Sequence, residues 1–445
     1  MLEEEADSGV PSTLSPPVPP VIGGSLNVRG LAGGKPACAV ARLVAPDSPL
    51  ARHRSGTAQM PTVAIAGASL AGLSAARALR SQGYEGRLVL VGRERHRPYD
   101  RPPLSKGFLT GAIRTGQLTL EADEEDLGAE WLLGVEALRL DCPGRTLHLS
   151  DGSRLPADGI ILASGAQPRP LPGSSGLAGV HLLRTLEDAQ ALRVALAAAD
   201  SLIVVGAGFL GSEVAATART LGLDVTVVEA APTPLAGPLG PTMGAVVAAL
   251  HVDHGVHLRC GVDVRGVTGT GRAEGVALAD GHRIDGDLVV VGVGTTPGID
   301  WLADSGLALG DGVLCDAAGA TNVSGVVAVG DCSAWYDPAV GRHLRVEHWT
   351  AAMERAPVAA ATLLSGGTRP PPPLPPAYFW SEQYDSYIQF AGHTRPGDTV
   401  TVEEGDVDAR RFLAVYRRAD QPVAVLGLDQ MRLFTRWRRR LSRGD

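Results

Sequence analysis

Gly206-Ala207-Gly208-Phe209-Leu210-Gly211 is the stretch from which the fold can be read. It follows Leu202-Ile203-Val204-Val205, a run of branched apolar residues that reads as a strand buried on both faces. A helical pattern over 214–221 comes next, then a second strand, Val225-Thr226-Val227-Val228, closed by Glu229. In a strand–turn–helix–strand unit of this kind the first glycine makes the bend. The second lets the backbone approach a pyrophosphate, and the third lets the helix pack closely on the strand. The helix N-terminus then faces the phosphates. A carboxylate at Glu229 favours a free ribose 2′-hydroxyl and repels a 2′-phosphate, which predicts NADH rather than NADPH.

The same unit occurs earlier. Val63-Ala64-Ile65-Ala66 leads into Gly67-Ala68-Ser69-Leu70-Ala71-Gly72, a helical run over 73–81, the strand Leu88-Val89-Leu90-Val91, and Glu94, placed to accept from ribose hydroxyls. Ser69 stands where the second glycine is expected. It is small and its hydroxyl can donate to a phosphate; the turn taken alone also fits an ordinary strand–helix connection. A second repeat supports the first. Asp151-Gly152 and Asp280-Gly281 each predict a hairpin turn that feeds a buried strand, at residues 160–163 and 288–291. The fold class is therefore α/β, with two Rossmann-like dinucleotide-binding domains and a C-terminal α+β domain. Two nucleotide sites in one chain point to a bound flavin and a nicotinamide donor. Late in the chain, Val326-Val327-Ala328-Val329-Gly330 closes on Asp331, which either holds a ribityl hydroxyl or ends a plain strand.

The chain has 445 residues, 56 of them glycine, which suits many tight strand-to-helix turns. Its net charge of −8 argues against a general nucleic-acid binder. No apolar run is long enough to span a bilayer, so no membrane association is expected. Five scattered cysteines without a C-x-x-C argue against a disulfide framework or a metal site and fit a reducing cytoplasm. Lysine occurs only at Lys35 and Lys106 among 40 basic residues, so Lys106 marks a place where an ammonium is wanted. Residues 1–59 contain no Phe, Tyr or Trp and read as a disordered tail, with Met60 an alternative start. The expected division is a tail at 1–59, a first FAD-binding part at 60–168, an NAD-binding domain at 169–291, a second FAD-binding part at 292–369, and a C-terminal domain at 370–445. The last begins in a proline linker, after which six aromatics fall between Tyr378 and Phe390.

Arg101-Pro102-Pro103-Leu104-Ser105-Lys106 resembles the flavin-side signature of the oxygenase-coupled ferredoxin reductases, the putidaredoxin reductase-like group, and more distantly the apoptosis-inducing factors. Arg184-Thr185-Leu186-Glu187-Asp188-Ala189, Glu347-His348-Trp349 and Tyr378-Phe379-Trp380-Ser381 look like further signatures of the same group, in the same order. The resemblance implies FAD in the first half, NADH in the inserted half, and electron transfer to an iron–sulfur ferredoxin that feeds a monooxygenase or a Rieske dioxygenase. Carried over by position, it implies FAD contacts at Arg101, Lys106, Arg184, Asp331 and Trp349, joined by Val135, Glu347 and His348. Gly294 is a further implied cofactor-binding position. Lys106 and Glu213 are the implied catalytic pair: Lys106 beside the isoalloxazine, and Glu213 facing the nicotinamide unless it is simply a first-turn acid on its helix. Arg93 stands where the group has an acid.

Between Gly72 and Glu136 there is no cysteine, so the thiol chemistry of flavin disulfide reductases is not expected. The basic run at 432–440 reads either as a solvated helix face or as a docking patch for an acidic ferredoxin. Two alternatives remain at this level. One is an NADH oxidase or a reductase for a rubredoxin-type carrier. The other is a non-catalytic NADH-sensing flavoprotein.

Overall fold

The computed structural model describes residues 61–368 and 374–443. The expected tail and the four prolines of the linker lie outside the described residues.

The strand Thr62–Ala66 is the centre of the first sheet. It pairs in parallel with Arg87–Gly92 on one side and Gly159–Leu162 on the other. Ala129–Leu133 adds the far edge and Val326–Ala328 the near one, all parallel. Val63, Ala64, Ile65, Ile160, Ile161 and Leu162 are fully buried, as a parallel sheet covered on both faces requires. Helix α1 (Leu70–Ser81) follows the first glycine turn, and its Leu73, Ala75, Ala76 and Leu79 are fully buried.

The second sheet repeats this order. Ser201–Val205 lies at its centre, between Asp224–Glu229 and Leu288–Val291, with His257–Cys260 and Val180–His181 at the edges. Helix α2 (Leu186–Leu196) starts at a reciprocal cap, in which Thr185 accepts from the Asp188 N–H and Asp188 accepts from the Thr185 N–H. Helix α3 (Phe209–Thr220) follows the second glycine turn, and α4 (Ala236–Asp253) is bent where Gly240 takes a positive φ just before Pro241. The two predicted hairpins form at Asp151-Gly152 and Asp280-Gly281, each ahead of its buried strand. Ala166–Pro168 and Thr295–Pro297 pair antiparallel where the chain passes from the first sheet to the second and back.

Helix α5 (Trp349–Ser365) packs on the first sheet and on α1. Beyond it come five antiparallel strands in the spatial order Tyr378–Gln383, Ser386–Gly392, Gln421–Leu428, Arg411–Arg418, Thr399–Asp406. Alternation along Arg411–Arg418 feeds both faces. Phe412, Ala414 and Tyr416 pack with Leu239, Met243 and Val247 of α4, whereas Leu413 and Val415 meet Phe434 of α6 (Met431–Arg443). Helix α6 is basic on the outside: Arg432, Arg436, Arg439 and Arg443 recur at helical spacing and are exposed. Among the described residues no helix is long and apolar enough to cross a membrane, and no group of side chains could hold a metal ion.

Candidate active site

Both glycine turns lie at the C-terminal ends of their central strands, where open α/β sheets bind ligands. A cleft of about 680 Å³ opens there, the scale of a cofactor site. It begins at Gly67, Ser69 and Ala71 and runs past Glu94, Arg101 and Val135. It continues past Arg184 and Asp331 to Lys106 and Glu213, and Glu347, His348 and Trp349 line it from the start of α5. Phe379 and Trp380 reach it from the C-terminal sheet.

Gly72 does not line the cleft. A Cβ there would sit 1.9 Å from the Gly67 carbonyl oxygen, so its work is helix packing. Gly211 is its counterpart, with 2.1 Å to the Gly206 oxygen. Gly206, Gly208, Glu229 and Gly294 lie apart from the cleft, at the turn of the second sheet, which reaches it through Phe209, Leu210 and Glu213. A Cβ on Gly208 would meet nothing within 4 Å, so open space faces that turn. Glu229 accepts the Ala207 N–H at 2.7 Å and the Ala231 N–H at 2.8 Å, fixing its carboxylate beside the turn. Gly294 has a positive φ in the loop that packs on Gly206.

The acid of the first half is held differently. Both oxygens of Glu94 already have protein donors: the Tyr99 hydroxyl on one and Arg101 at 2.5 Å on the other. Each oxygen keeps further acceptor capacity, so Glu94 stands in the cleft wall as a carboxylate that Tyr99 and Arg101 orient. Arg93, next to it, bonds Gln167 at 2.9 Å. Ser69 starts α1 without a side-chain cap bond, and its hydroxyl has only a 3.4 Å contact from Arg101. Arg184 and Asp331 form an ion pair at 2.9 Å. Glu347 is bonded by Thr295 and Arg345 at the rim. Trp349 donates to Asp100 at 2.9 Å. Burial pushes His348 down to about 4, so its ring is neutral at pH 7, and its Nδ1 is buried without a partner.

Lys106 and Glu213 meet at the floor of the cleft, 2.8 Å apart. Glu213 lies in the second turn of α3, which excludes the first-turn reading. Lys106 also donates to the Pro102 carbonyl at 3.0 Å. Sequence reasoning missed two residues here. The Ser105 hydroxyl donates to Glu213 at 2.6 Å and the Ser381 hydroxyl at 2.8 Å. Both stood inside quoted motifs, but only the fold shows where a serine points. The aromatic segment after residue 378 also divides: Phe379 and Trp380 line the cleft, Phe390 joins the core, and Tyr384 turns away onto α4.

No cysteine lines the cleft. Cys332, next to Asp331, is fully buried, and burial pushes its thiol up, away from the reactive thiolate. Two nucleotide-scale turns, a cleft lined by arginine, lysine and carboxylate side chains, and an aromatic wall fit a flavin and a nicotinamide dinucleotide. The Gly67 and Gly206 bends and the orphaned His348 nitrogen are the specific observations behind that fit.

Residues 61–356 match the family model described as pyridine nucleotide-disulphide oxidoreductase. The chain belongs to that family. Residues 378–445 match the reductase C-terminal model. Among pyridine nucleotide-disulphide oxidoreductases, rhodocoxin reductase of Rhodococcus erythropolis is 39% identical over 356 residues, 79% of this chain and 82% of that one. The ferredoxin–NAD(+) reductase subunit of the benzene 1,2-dioxygenase system of Pseudomonas putida is 39% identical over 342 residues, 76% of this chain and 82% of that one. The crystal structure of a covalent putidaredoxin reductase–putidaredoxin complex superposes with a TM-score of 0.81 at 31% identity, covering 86% of this chain and 93% of that one.

Proposed function

We propose that this family member is an FAD-containing NADH:ferredoxin reductase that passes electrons to an iron–sulfur ferredoxin serving an oxygenase. The observation that carries the reading is the shared cleft. The flavin-side residues line it, the helix of the second glycine turn delivers Glu213 into it, and among the described residues no cysteine lines it to take electrons instead. Bound FAD would supply the exchange between a two-electron donor and a one-electron acceptor. The relatives' names, which pair reductases with dioxygenase systems and with rhodocoxin, support the same assignment.

On this reading the α1 N-terminus and the Gly67 turn hold the FAD pyrophosphate. Arg101, Arg184 and Asp331 fix the cofactor along the cleft, Val135 packs beside it, and Glu347, His348 and Trp349 close its far end. Gly206 makes the bend, Gly208 and Gly294 leave room for NADH, and Glu229 selects the unphosphorylated ribose. Lys106 keeps a positive charge on the cleft floor, oriented by Glu213, and Phe379, Trp349 and Trp380 keep water out. Residues 60–168 and 292–369 form the FAD-binding domain, 169–291 the NAD-binding domain, and 370–445 the C-terminal domain. The antiparallel pair Ala166–Pro168 and Thr295–Pro297 stands near both crossing points. We place the protein in the cytoplasm, in keeping with Cys142, Cys260, Cys315 and Cys332 all being free thiols.

The test is ferredoxin-dependent cytochrome c reduction by the FAD-loaded protein. The expected result is steady turnover with NADH, much slower turnover with NADPH, and a reversal toward NADPH when Glu229→Ala is combined with a new nearby arginine. Fast peroxide formation with no turnover of any ferredoxin would point to an oxidase instead.

A further inference from the structure

Ser381 lies outside the cleft. It is fully buried, on the first strand of the C-terminal sheet, between Trp380 and Glu382. Its hydroxyl donates to Glu213 Oε1 at 2.8 Å, a bond that joins residues 168 apart in sequence. The other oxygen of that carboxylate, Oε2, takes both Lys106 Nζ at 2.8 Å and Ser105 at 2.6 Å. The two oxygens are thus served unequally: two donors from one segment hold Oε2, and Ser381 alone holds Oε1. Ser381 therefore holds the carboxylate from its second side, opposite the pull of Lys106 and Ser105.

The hydroxyl is itself directed. Gln383 Nε2 donates to Ser381 Oγ at 3.2 Å, which occupies the oxygen as an acceptor and leaves its proton for Glu213. The strand that carries both residues is tied at each end. Thr350 Oγ1 donates to the Tyr378 carbonyl at 2.5 Å. At the hairpin tip, Tyr384 is hydrogen-bonded to His251 at 2.9 Å and stacked on His254 with ring centroids 3.7 Å apart. A donor on an anchored strand positions its partner more closely than one on a loop.

We propose that Ser381 is a positioning residue for the NADH half of the reaction. Through Glu213 it sets the direction of the Lys106 ammonium on the cleft floor, so the C-terminal sheet takes part in electron entry. The inference rests on the proposed reductase function.

The experiment compares Ser381→Thr with Ser381→Val in the FAD-loaded protein. The two side chains have the same shape, so whatever the added methyls disturb is common to both and the hydroxyl is isolated. The readouts are the single-turnover rate at which NADH bleaches bound FAD without oxygen, and the visible absorption band of the oxidised cofactor. The valine variant should be about tenfold slower than the threonine variant, the scale expected when a group beside the reacting centre is misoriented. Its apparent NADH affinity should change much less. The FAD band should shift in the valine variant only, and the two spectra should coincide when Glu213→Ala is added to both. Should the larger side chains prevent folding, Ser381→Ala removes only the oxygen and should be slowed as valine is. Equal rates and spectra for threonine and valine, or an alanine variant as fast as wild type, overturn the inference and leave the reductase reading intact. Wild-type FAD that NADH does not bleach overturns both.

Discussion

The turn after Thr62–Ala66 and the turn after Ser201–Val205 make the same bend with different middles. In both, the third glycine is demanded by the protein itself, because a Cβ would run into the carbonyl oxygen of the first glycine at 1.9 Å or 2.1 Å. The second position carries no such demand. Nothing lies within 4 Å of a Cβ on Gly208, and the first half places Ser69 there. The strand-end acids differ too: Glu94 is gripped by Tyr99 and Arg101, while Glu229 accepts backbone N–H groups of its own turn and of the loop beyond. Two of the three glycines therefore belong to the fold. The middle position belongs to whatever approaches the turn, and it is free to differ between halves.

The largest expected effects test that division directly. Gly72→Ala and Gly211→Ala should each cost more than about 3 kcal/mol, because backbone rather than a flexible side chain must move. Thermal unfolding measures the cost, and Gly72→Ala should also emerge with little bound FAD. By contrast, Ser69→Gly and Gly208→Ser should stay within about 0.5 kcal/mol of the parent. Gly208→Ser should still raise the NADH concentration for half-maximal reduction about tenfold, through crowding at the pyrophosphate. If Gly208→Ser unfolds the protein as readily as Gly211→Ala, the second glycine is structural and the comparison fails.

Next in size is the response to acid, which contrasts how the two halves are tied down. The second half is fastened to the C-terminal sheet through His251, buried against Tyr384 on α4, with His254 stacked on the same ring and Asp253 bonded to Arg410 nearby. Burial, followed by the charge of His254, pushes His251 down to about 4. The unfolded chain takes up its proton near pH 6.5 and the folded chain only near 4, so stability is complete above about 6.5 and drains away as pH falls through that window. The loss attributable to His251 is on the order of 3 kcal/mol. His348, beside the first half, titrates over the same range, so single variants are needed. Urea unfolding of His251→Phe across pH 4 to 7 should show a flatter acid limb. Its neutral plateau should lie about 1 kcal/mol lower, because Tyr384 loses its partner.

The smallest expected effect concerns α6. Arg438, the arginine that looks like its neighbours in sequence, is bonded to Glu354 at 3.0 Å and lies over the Tyr378 ring, so it belongs to the packing. Arg432, Arg436 and Arg439 face outward on one stripe. Replacing these three by Ala should lower ferredoxin-dependent cytochrome c reduction roughly twofold to fivefold at low salt and have little effect at high salt. NADH reduction of the flavin should be unaltered. Equal salt dependence in parent and variant would remove the docking role from this stripe.

Much of this was legible in the sequence because the rules involved are local. The two βαβ units, the two Asp-Gly hairpins and the strand closing on Asp331 each declare themselves within about thirty residues. The residues from Arg101 to Trp349 that the resemblance singles out line one cleft because each is anchored near a strand or helix end. What the sequence hides is direction across long separations. No periodicity announces that Ser381 points at Glu213, that Tyr384 leaves the aromatic wall for α4, or that Tyr99 and Arg101 orient Glu94. Arg438 fails for the same reason, since a charge run does not reveal which member faces Glu354.

The strand Val326–Ala328 has a consequence for how the chain is made. Its partner Gly159–Leu162 emerges from the ribosome some 165 residues earlier and presents an open parallel edge until Val326 arrives to pair with Ile160. In the interval the second sheet can close within its own stretch of chain, because Val180–His181 through Leu288–Val291 are all supplied by then. The inserted half can thus be complete while the first is still missing a strand. During synthesis the unfinished edge, lined by Ile160, Ile161 and Leu162, is the surface most exposed to wrong pairing with other chains. Starved or stalled translation between residues 165 and 325 should therefore be the condition under which this protein aggregates most readily.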